Sequence, residues 1–202
     1  MLYLRLKLGI NMKIAIDIDE TIMDNASLIY KLANRLTLGG GKKKLGSKTI
    51  SAESYESLEV GAISKISKLH NVRKWIEVDN CSEIIRDWFN QGVEILLLSS
   101  RPSVRNLNKV LLKWLELKSV PYSQIVLSCT NKAEFCKEND IEVLVDNSLQ
   151  NCMAGKERGV YSVFFNKRKS SKLIDTADSW RKVNDFINCF IENKELHQPV
   201  LS

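Results

Sequence analysis

The sequence predicts an α/β protein built on an open parallel sheet with helices over both faces. Two observations lead there. From Ser82 onward helical and strand patterns take turns along the chain, and the strand segments are apolar throughout instead of alternating apolar with polar residues. Strands of that kind are buried on both faces, as parallel strands under helices are. Size agrees, because 202 residues and 23.0 kDa suit one domain, or one domain with a modest insertion.

Each element follows from local pattern. Lys13–Ile18 is a compact apolar run that ends in acids and reads as the first strand. Asp24 can cap a helix from Asn25 to Leu38, where Ala26, Ile29, Tyr30, Ala33 and Leu36 recur at helical spacing before three glycines stop it. From there to Asn80 the pattern is weak. Ser82–Asn90 is an amphipathic helix ended by Gly92, and Val93–Leu98, VEILLL, reads as a fully buried strand. Ser103–Lys118 is a helix, Pro121 breaks it, and Gln124–Leu127 is a short strand. Lys132–Asn139 is a helix, Ile141–Val145 a strand that ends in Asp146, and Leu149–Arg158 a helix stopped by Gly159. Val160–Phe165 is the fifth strand, and a helix over Asp178–Glu192 closes the domain.

Composition narrows the function classes. With 44% hydrophobic and 27% charged residues the chain is an ordinary globular one, which excludes wholesale disorder and a disulfide-dense miniprotein. The net charge of +6 is lopsided: residues 1–75 hold 13 basic against 7 acidic side chains, so the surplus lies there and suits anionic small molecules or nucleic acid. The 5 cysteines are odd in number and form no CxxC pair, as in a cytoplasmic protein with reduced thiols. With 2 histidines, chemistry that needs several of them is disfavoured. No apolar run approaches the ~20 residues that span a bilayer, so no membrane partner is expected. The stretch 1–11 lacks a distinct charged start and a cleavage site. Met12 begins a natural strand, so the preceding residues form an extension whose nativeness is open.

In an open parallel sheet, ligands bind beyond the carboxyl ends of the strands. After the first strand stand Asp17, Asp19 and Thr21; after the second, Ser99 and Ser100; after the third, Thr130 and Lys132; after the fourth, Asp146. Asp17 and Asp19 point the same way along an extended chain, and Asp146 can join them if its strand is a neighbour. Acids without histidine or cysteine suit a hard, oxygen-liganded ion, and Mg²⁺ is the usual one beside phosphates. A carboxylate can serve as a nucleophile toward phosphorus, and Lys132 with the cation would neutralise the charge that gathers there. Asp19 is placed for acid–base work.

DIDET at 17–21, LLLSSRP at 96–102, Lys132 at a helix start and VLVDN at 143–147 together resemble the four ordered motifs of the haloacid dehalogenase superfamily of phosphohydrolases. The likeness runs over most of Lys13–Phe165. It implies a Rossmannoid core over 12–24 and 80–202, and a small helical cap inserted over 25–79. It also implies Asp17 as nucleophile, Asp19 as acid/base, Thr21 supporting the Asp19 loop, Ser99 on the phosphoryl group and Lys132 steadying phosphate and nucleophile. Asp146, Asp17 and the Asp19 carbonyl would hold Mg²⁺, with Asn147, standing where many members have a second acid, as a second-rank ligand. Within the superfamily the chain is most similar to the 5'(3')-deoxyribonucleotidase-like branch. That likeness rests on the Ser99-Ser100-Arg101-Pro102 turn, the VDN turn and the tail GVYSVFFN followed by a basic stretch and Ser179-Trp180.

The resemblance implies a Mg²⁺-dependent phosphatase of nucleoside 5'(3')-monophosphates. The alternatives are a phosphatase of a sugar phosphate or a nucleic-acid 3'-phosphate end, and a non-catalytic binding protein. Ser100 competes with Ser99 for the phosphoryl group. Arg101 divides evenly between a phosphate contact and a surface partner of the next helix. Lys132 has the alternative of a solvated helix-start lysine. Lys42–Lys44 reads as a solvated loop, His70 as a surface residue, and Tyr30, Tyr55 and Trp75 as packing residues before base-stacking ones. An extended single strand of nucleic acid is not expected, because it needs a continuous basic groove lined with stacking aromatics.

Overall fold

Alternating side chains on each central strand bury one set of residues above the sheet and the other below, which is what seats this chain in layers. The protein is seen in a computed structural model that describes residues 12–24, 76–101 and 105–196. Its elements, in chain order, are β1 (Lys13–Asp17), β2 (Met23–Asp24), β3 (Ile76–Glu77), α1 (Cys81–Asn90), β4 (Glu94–Leu98), α2 (Arg105–Leu117) and β5 (Gln124–Val126). They continue with α3 (Lys132–Glu138), β6 (Val143–Asp146), α4 (Leu149–Glu157), β7 (Tyr161–Phe165), β8 (Asp175–Ala177) and α5 (Trp180–Leu196). The expected helix from Asn25 to Leu38, Lys42–Lys44, Tyr55, His70, Trp75, Pro102 and the extension 1–11 lie outside the described residues.

Six strands form one sheet in the order β5-β4-β1-β6-β7-β8, every pair parallel. The chain leaves β1 toward β4 and β5, then returns across it to β6, so the order reverses beside β1. That reversal is where such sheets form their ligand crevice. Asp17 pairs in register with Leu98 on β4, and Ile16 with Val145 on β6, so three strand ends arrive at one level.

Ile14, Ile16, Ile95, Leu97, Val143 and Val145 belong to one apolar cluster with Ile85, Trp88, Leu111, Trp114, Trp180 and Val183 from α1, α2 and α5. Ala15, Leu96, Leu98 and Leu144 face the other way, against Cys136 of α3 and Ile141. The uniformly apolar strands of the sequence are thus covered on both faces. Gly92 and Gly159 hold φ of 88° and 82°, the left-handed conformation that ends α1 and α4 where the sequence placed their stops.

Three strands were not expected. β8 adds a sixth strand at the sheet edge, held by Asn166 N–H donating to the Ala177 carbonyl at 2.8 Å and by the Tyr161 hydroxyl on Asp175 at 2.6 Å. Three residues, two of them polar, carry no readable period, so pairing with β7 and not local pattern makes this a strand. Asp24, expected as a helix cap, pairs with Ile76 in a two-residue antiparallel contact, and Met23 pairs with Glu77. The closing helix runs to Leu196, past the expected Glu192. Among the described residues no helix is long and apolar enough to cross a membrane.

The cysteines stand free, and Cys81, Cys129, Cys136 and Cys152 are buried while Cys189 is exposed. Burial pushes all four buried thiols above the ordinary thiol range. A thiol reagent near pH 8 is therefore expected to label Cys189 quickly and the others only on unfolding. A second fast thiol in the folded protein would contradict this packing.

Candidate active site

Asp17 closes β1, and Asp146 closes the adjacent β6. Asp17 is 4% exposed and Asp146 fully buried, so each carboxylate needs partners inside the protein. Lys132 supplies both, its Nζ lying 2.5 Å from Asp17 Oδ1 and 2.7 Å from Asp146 Oδ2. Lys132 is the first residue of α3, capped by Asn131, whose side chain accepts from Glu134 N–H at 3.2 Å. A lysine at the positive end of a helix is unfavourable by itself. What holds it there, buried, is the pair of carboxylates, and the solvated-lysine alternative is excluded.

The other oxygens are also engaged. Thr21 Oγ1 donates to Asp17 Oδ2 at 2.9 Å. Ser148 N–H donates to Asp146 Oδ1 at 2.7 Å, and Asn151 Nδ2 to Asp146 Oδ2 at 3.0 Å. The loop after β1 turns back through Glu20, at φ 61°, with Ile22 and Met23 N–H both donating to the Ile18 carbonyl. Trp180 Nε1 donates to the Thr21 carbonyl at 2.8 Å and ties this loop to α5.

Burial pushes the Asp17 carboxyl up to about 7. The Lys132 ammonium pulls the other way, while Asp146 and Asp19 add to the rise. Burial disfavours the Lys132 charge, but Asp17 and Asp146 more than offset it and hold the ammonium above its ordinary value. Glu20 is raised as well, by burial and then by Asp19.

The expected motif residues converge, with different contacts in three places. Ser99 is fully buried and its hydroxyl donates to Asp19 Oδ2 at 3.1 Å, while Ser100 Oγ donates to the Cys129 carbonyl at 3.3 Å. Arg101 is buried and not a surface residue, and its guanidinium pairs with Asp19. Asn147 Nδ2 donates to Glu20 Oε2 at 3.3 Å, whereas Asn151 is the amide on Asp146. The sequence assigns no part in the site to Glu20, brings in Trp180 only within the tail that carries the branch likeness, and leaves open whether Asn147 or Asn151 assists the metal. One signal for Asn151 was present: Ser148 caps α4, with its hydroxyl accepting from Asn151 N–H at 3.4 Å, which sets the third residue on beside the strand end.

Among the described residues no three His, Cys, Asp or Glu side chains form a closed metal site. Asp17 and Asp146 are nevertheless two carboxylates sharing one cation. Their oxygen donors fit a hard divalent ion such as Mg²⁺, which takes one or two carboxylates and completes its shell with water and substrate phosphate. Asp17, Asp19 and Asp146 against Lys132 and Arg101 leave the site with an excess of negative charge before any phosphate arrives, which a cation would balance.

No protein-family model matches this sequence, and no curated protein matches it. Solved structures share its fold. A HAD-superfamily hydrolase, subfamily IA, variant 1, from Geobacter sulfurreducens superposes with a TM-score of 0.58 at 15% identity, covering 89% of this chain and 98% of its own. An L-2-haloacid dehalogenase gives 0.56 at 11% identity, covering 89% and 99%. CbbY from Rhodobacter sphaeroides, solved in complex with phosphate, gives 0.59 at 12% identity, covering 85% and 95%. The chain therefore has the haloacid dehalogenase-like α/β fold, and its structural neighbours include hydrolases of that superfamily.

Proposed function

We propose that the protein is a phosphomonoester hydrolase working through an aspartyl-phosphate. Its cofactor is Mg²⁺, and its substrates are small phosphorylated molecules, nucleoside 5'(3')-monophosphates first among them. One observation carries the reading: a buried carboxylate at the switch point of the sheet, Asp17, with Lys132 bridging it to Asp146. A cation-held carboxylate at a strand end is built to meet an anion and to form a bond to it.

In the first half-reaction an Asp17 oxygen attacks phosphorus. The ester P–O bond breaks, its electron pair leaves with the alcohol oxygen, and Asp19 supplies that oxygen's proton. In the second, water gives a proton to Asp19 and attacks phosphorus, and the bond to Asp17 breaks with its pair returning to the carboxylate. Lys132 neutralises the nucleophile before attack and the phosphoryl oxygens after it. Asp17, Asp146 and the Asp19 carbonyl would hold Mg²⁺, with Asn147 or Asn151 beside them, and the bound ion would supply further charge stabilisation at phosphorus.

Residues 25–79 are proposed as the cap that chooses the substrate, a reading supported by the contact between β2 and β3 at its two ends. The nucleotide preference rests on the Ser99–Pro102 turn and the VDN turn, and the basic surplus over 1–75 suits an anionic substrate. Free thiols support a cytoplasmic location.

The test is phosphate release from a panel of nucleoside monophosphates, sugar phosphates and 3'-phosphorylated oligonucleotides, with Mg²⁺ and with EDTA. Metal-dependent release is expected, greatest for one class. No release from any compound by folded protein would overturn the reading. A pH dependence follows from Asp17. Its carboxyl is raised to about 7, so acid keeps it protonated and cation binding must displace that proton. Calorimetric titration with Mg²⁺ is expected to show binding weaker by roughly tenfold at pH 5.5 than at pH 8; equal affinity would place the ion elsewhere.

A further inference from the structure

Asp19 is the group whose proton traffic the proposed reaction needs, and its side chain keeps 31% of its surface exposed, against 6% for Asp17 and none for Asp146. Its carboxylate is gripped at both oxygens. Arg101 Nη2 donates to Oδ1, and Ser99 Oγ donates to Oδ2 at 3.1 Å. The Arg101 side chain is only 4% exposed, so its charge is spent inside the protein.

Both grips are themselves anchored. Arg101 N–H donates to Ser99 Oγ at 3.1 Å, and Ser128 N–H to the Arg101 carbonyl at 2.9 Å. Ser99 N–H donates to the Val126 carbonyl and Cys129 N–H to the Ser99 carbonyl, each at 2.9 Å. The clamp therefore belongs to the rigid edge formed by β4, β5 and the loop after β5, while Asp19 belongs to the separate loop after β1. A guanidinium fixed in this way sets where a carboxylate points.

We propose that Arg101, assisted by Ser99, is a positioning residue that aims the Asp19 carboxylate for proton transfer, and not a direct contact of the substrate phosphate. The proposal rests on the phosphatase reading and deepens it. Losing the clamp should spare the attack of Asp17 on an ester whose leaving group departs without a proton. It should impair the two events that need Asp19, protonation of a poor leaving group and removal of a proton from water.

Rapid mixing of the parent and Arg101→Ala with p-nitrophenyl phosphate and with an alkyl phosphate, both with Mg²⁺, separates these steps. With the aryl ester, Arg101→Ala is expected to release one p-nitrophenolate per site in a burst at close to the parent rate. Hydrolysis of the phosphoenzyme then slows by roughly a hundredfold, the cost of misplacing a catalytic group. With the alkyl ester the variant shows no burst and slow turnover. Added guanidinium should restore hydrolysis, and Ser99→Ala should show the same pattern more weakly, which keeps the test open if Arg101→Ala folds poorly. Equal loss on both esters with a raised KM and no burst would make Arg101 a phosphate contact and overturn the proposal. Unchanged kinetics in both variants would overturn it too. A parent that forms no phosphoenzyme and releases no phosphate would overturn the phosphatase reading along with it.

Discussion

Asp17→Asn is expected to lower phosphate release by at least about a thousandfold, as removal of a nucleophile does, and to make the protein more stable at pH 8. The amide is nearly isosteric but a poor nucleophile, so the covalent step is lost while packing is kept. The stability gain comes from linkage. The folded protein holds the Asp17 proton up to about pH 7, well above the ordinary carboxyl value of 3.8. Between those values the folded state binds more protons than the unfolded one, so stability falls as pH rises through the window and stays reduced above it. An uncharged side chain at this position escapes that loss. Lys132, left with Asp146 alone, gives back part of the gain, so a net gain of about 1–2 kcal/mol, a few degrees in Tm for a chain of this size, is expected. The difference from the parent should shrink as pH falls toward 4 and vanish about a unit below the ordinary value of 3.8, where the parent's own carboxyl is protonated in both states. Turnover within a few-fold of the parent would sink the covalent mechanism. A variant less stable than the parent at pH 8 would mean that Lys132 fully compensates the Asp17 charge.

Lys132→Ala is the complementary experiment and should do the reverse to stability. It leaves Asp17 and Asp146 buried with no ammonium between them. Removing one partner from a buried ionic cluster costs about 3–5 kcal/mol, which lowers Tm by roughly 10 °C or more at neutral pH. Acid should shrink the deficit, because protonated carboxyls no longer need the cation. Adding Asp17→Asn to Lys132→Ala should recover part of it, because only one buried charge then remains. Turnover is expected to fall by about a hundredfold or more, through loss of charge stabilisation at phosphorus. Melting curves of the four proteins across pH 4–8 form a double-mutant cycle that checks the coupling. An unchanged Tm in Lys132→Ala would show that the bridge between the two carboxylates does not form in solution.

The two experiments share one physical cause. The site carries more carboxylates than cations of its own, and under the proposed function that condition trades stability for readiness to bind a cation and a phosphate. Asp19 completes the picture from another direction. Its partners, Ser99 and Arg101, come from the β4–β5 edge and not from the Asp17–Lys132–Asp146 cluster. Asp17, the proposed nucleophile, and Asp19, the proposed acid/base, thus take these hydrogen bonds from different parts of the fold, while the Asp19 charge still adds to the rise at Asp17.

Much of this was legible in the chain because the relevant signals are local. Apolar runs such as Val93–Leu98 and helical spacings such as Leu111, Trp114 and Leu115 report burial within one element, and glycines 92 and 159 mark helix ends by their own backbone freedom. The order of those elements, with acids, serines and a lysine at successive strand ends, then determined the parallel sheet and most of the site. The tertiary structure alone decided which strand ends meet and what each side chain does there. β8 became a strand by pairing with β7, Trp180 reached back to the Thr21 carbonyl, Asn151 and not Asn147 took Asp146, and Ser99 and Arg101 turned to Asp19. Each of these is a contact between loops far apart in sequence or a choice among nearby amides. Hydrophobic periodicity carries no information about such choices, because they are settled by which buried polar group would otherwise go unpaired.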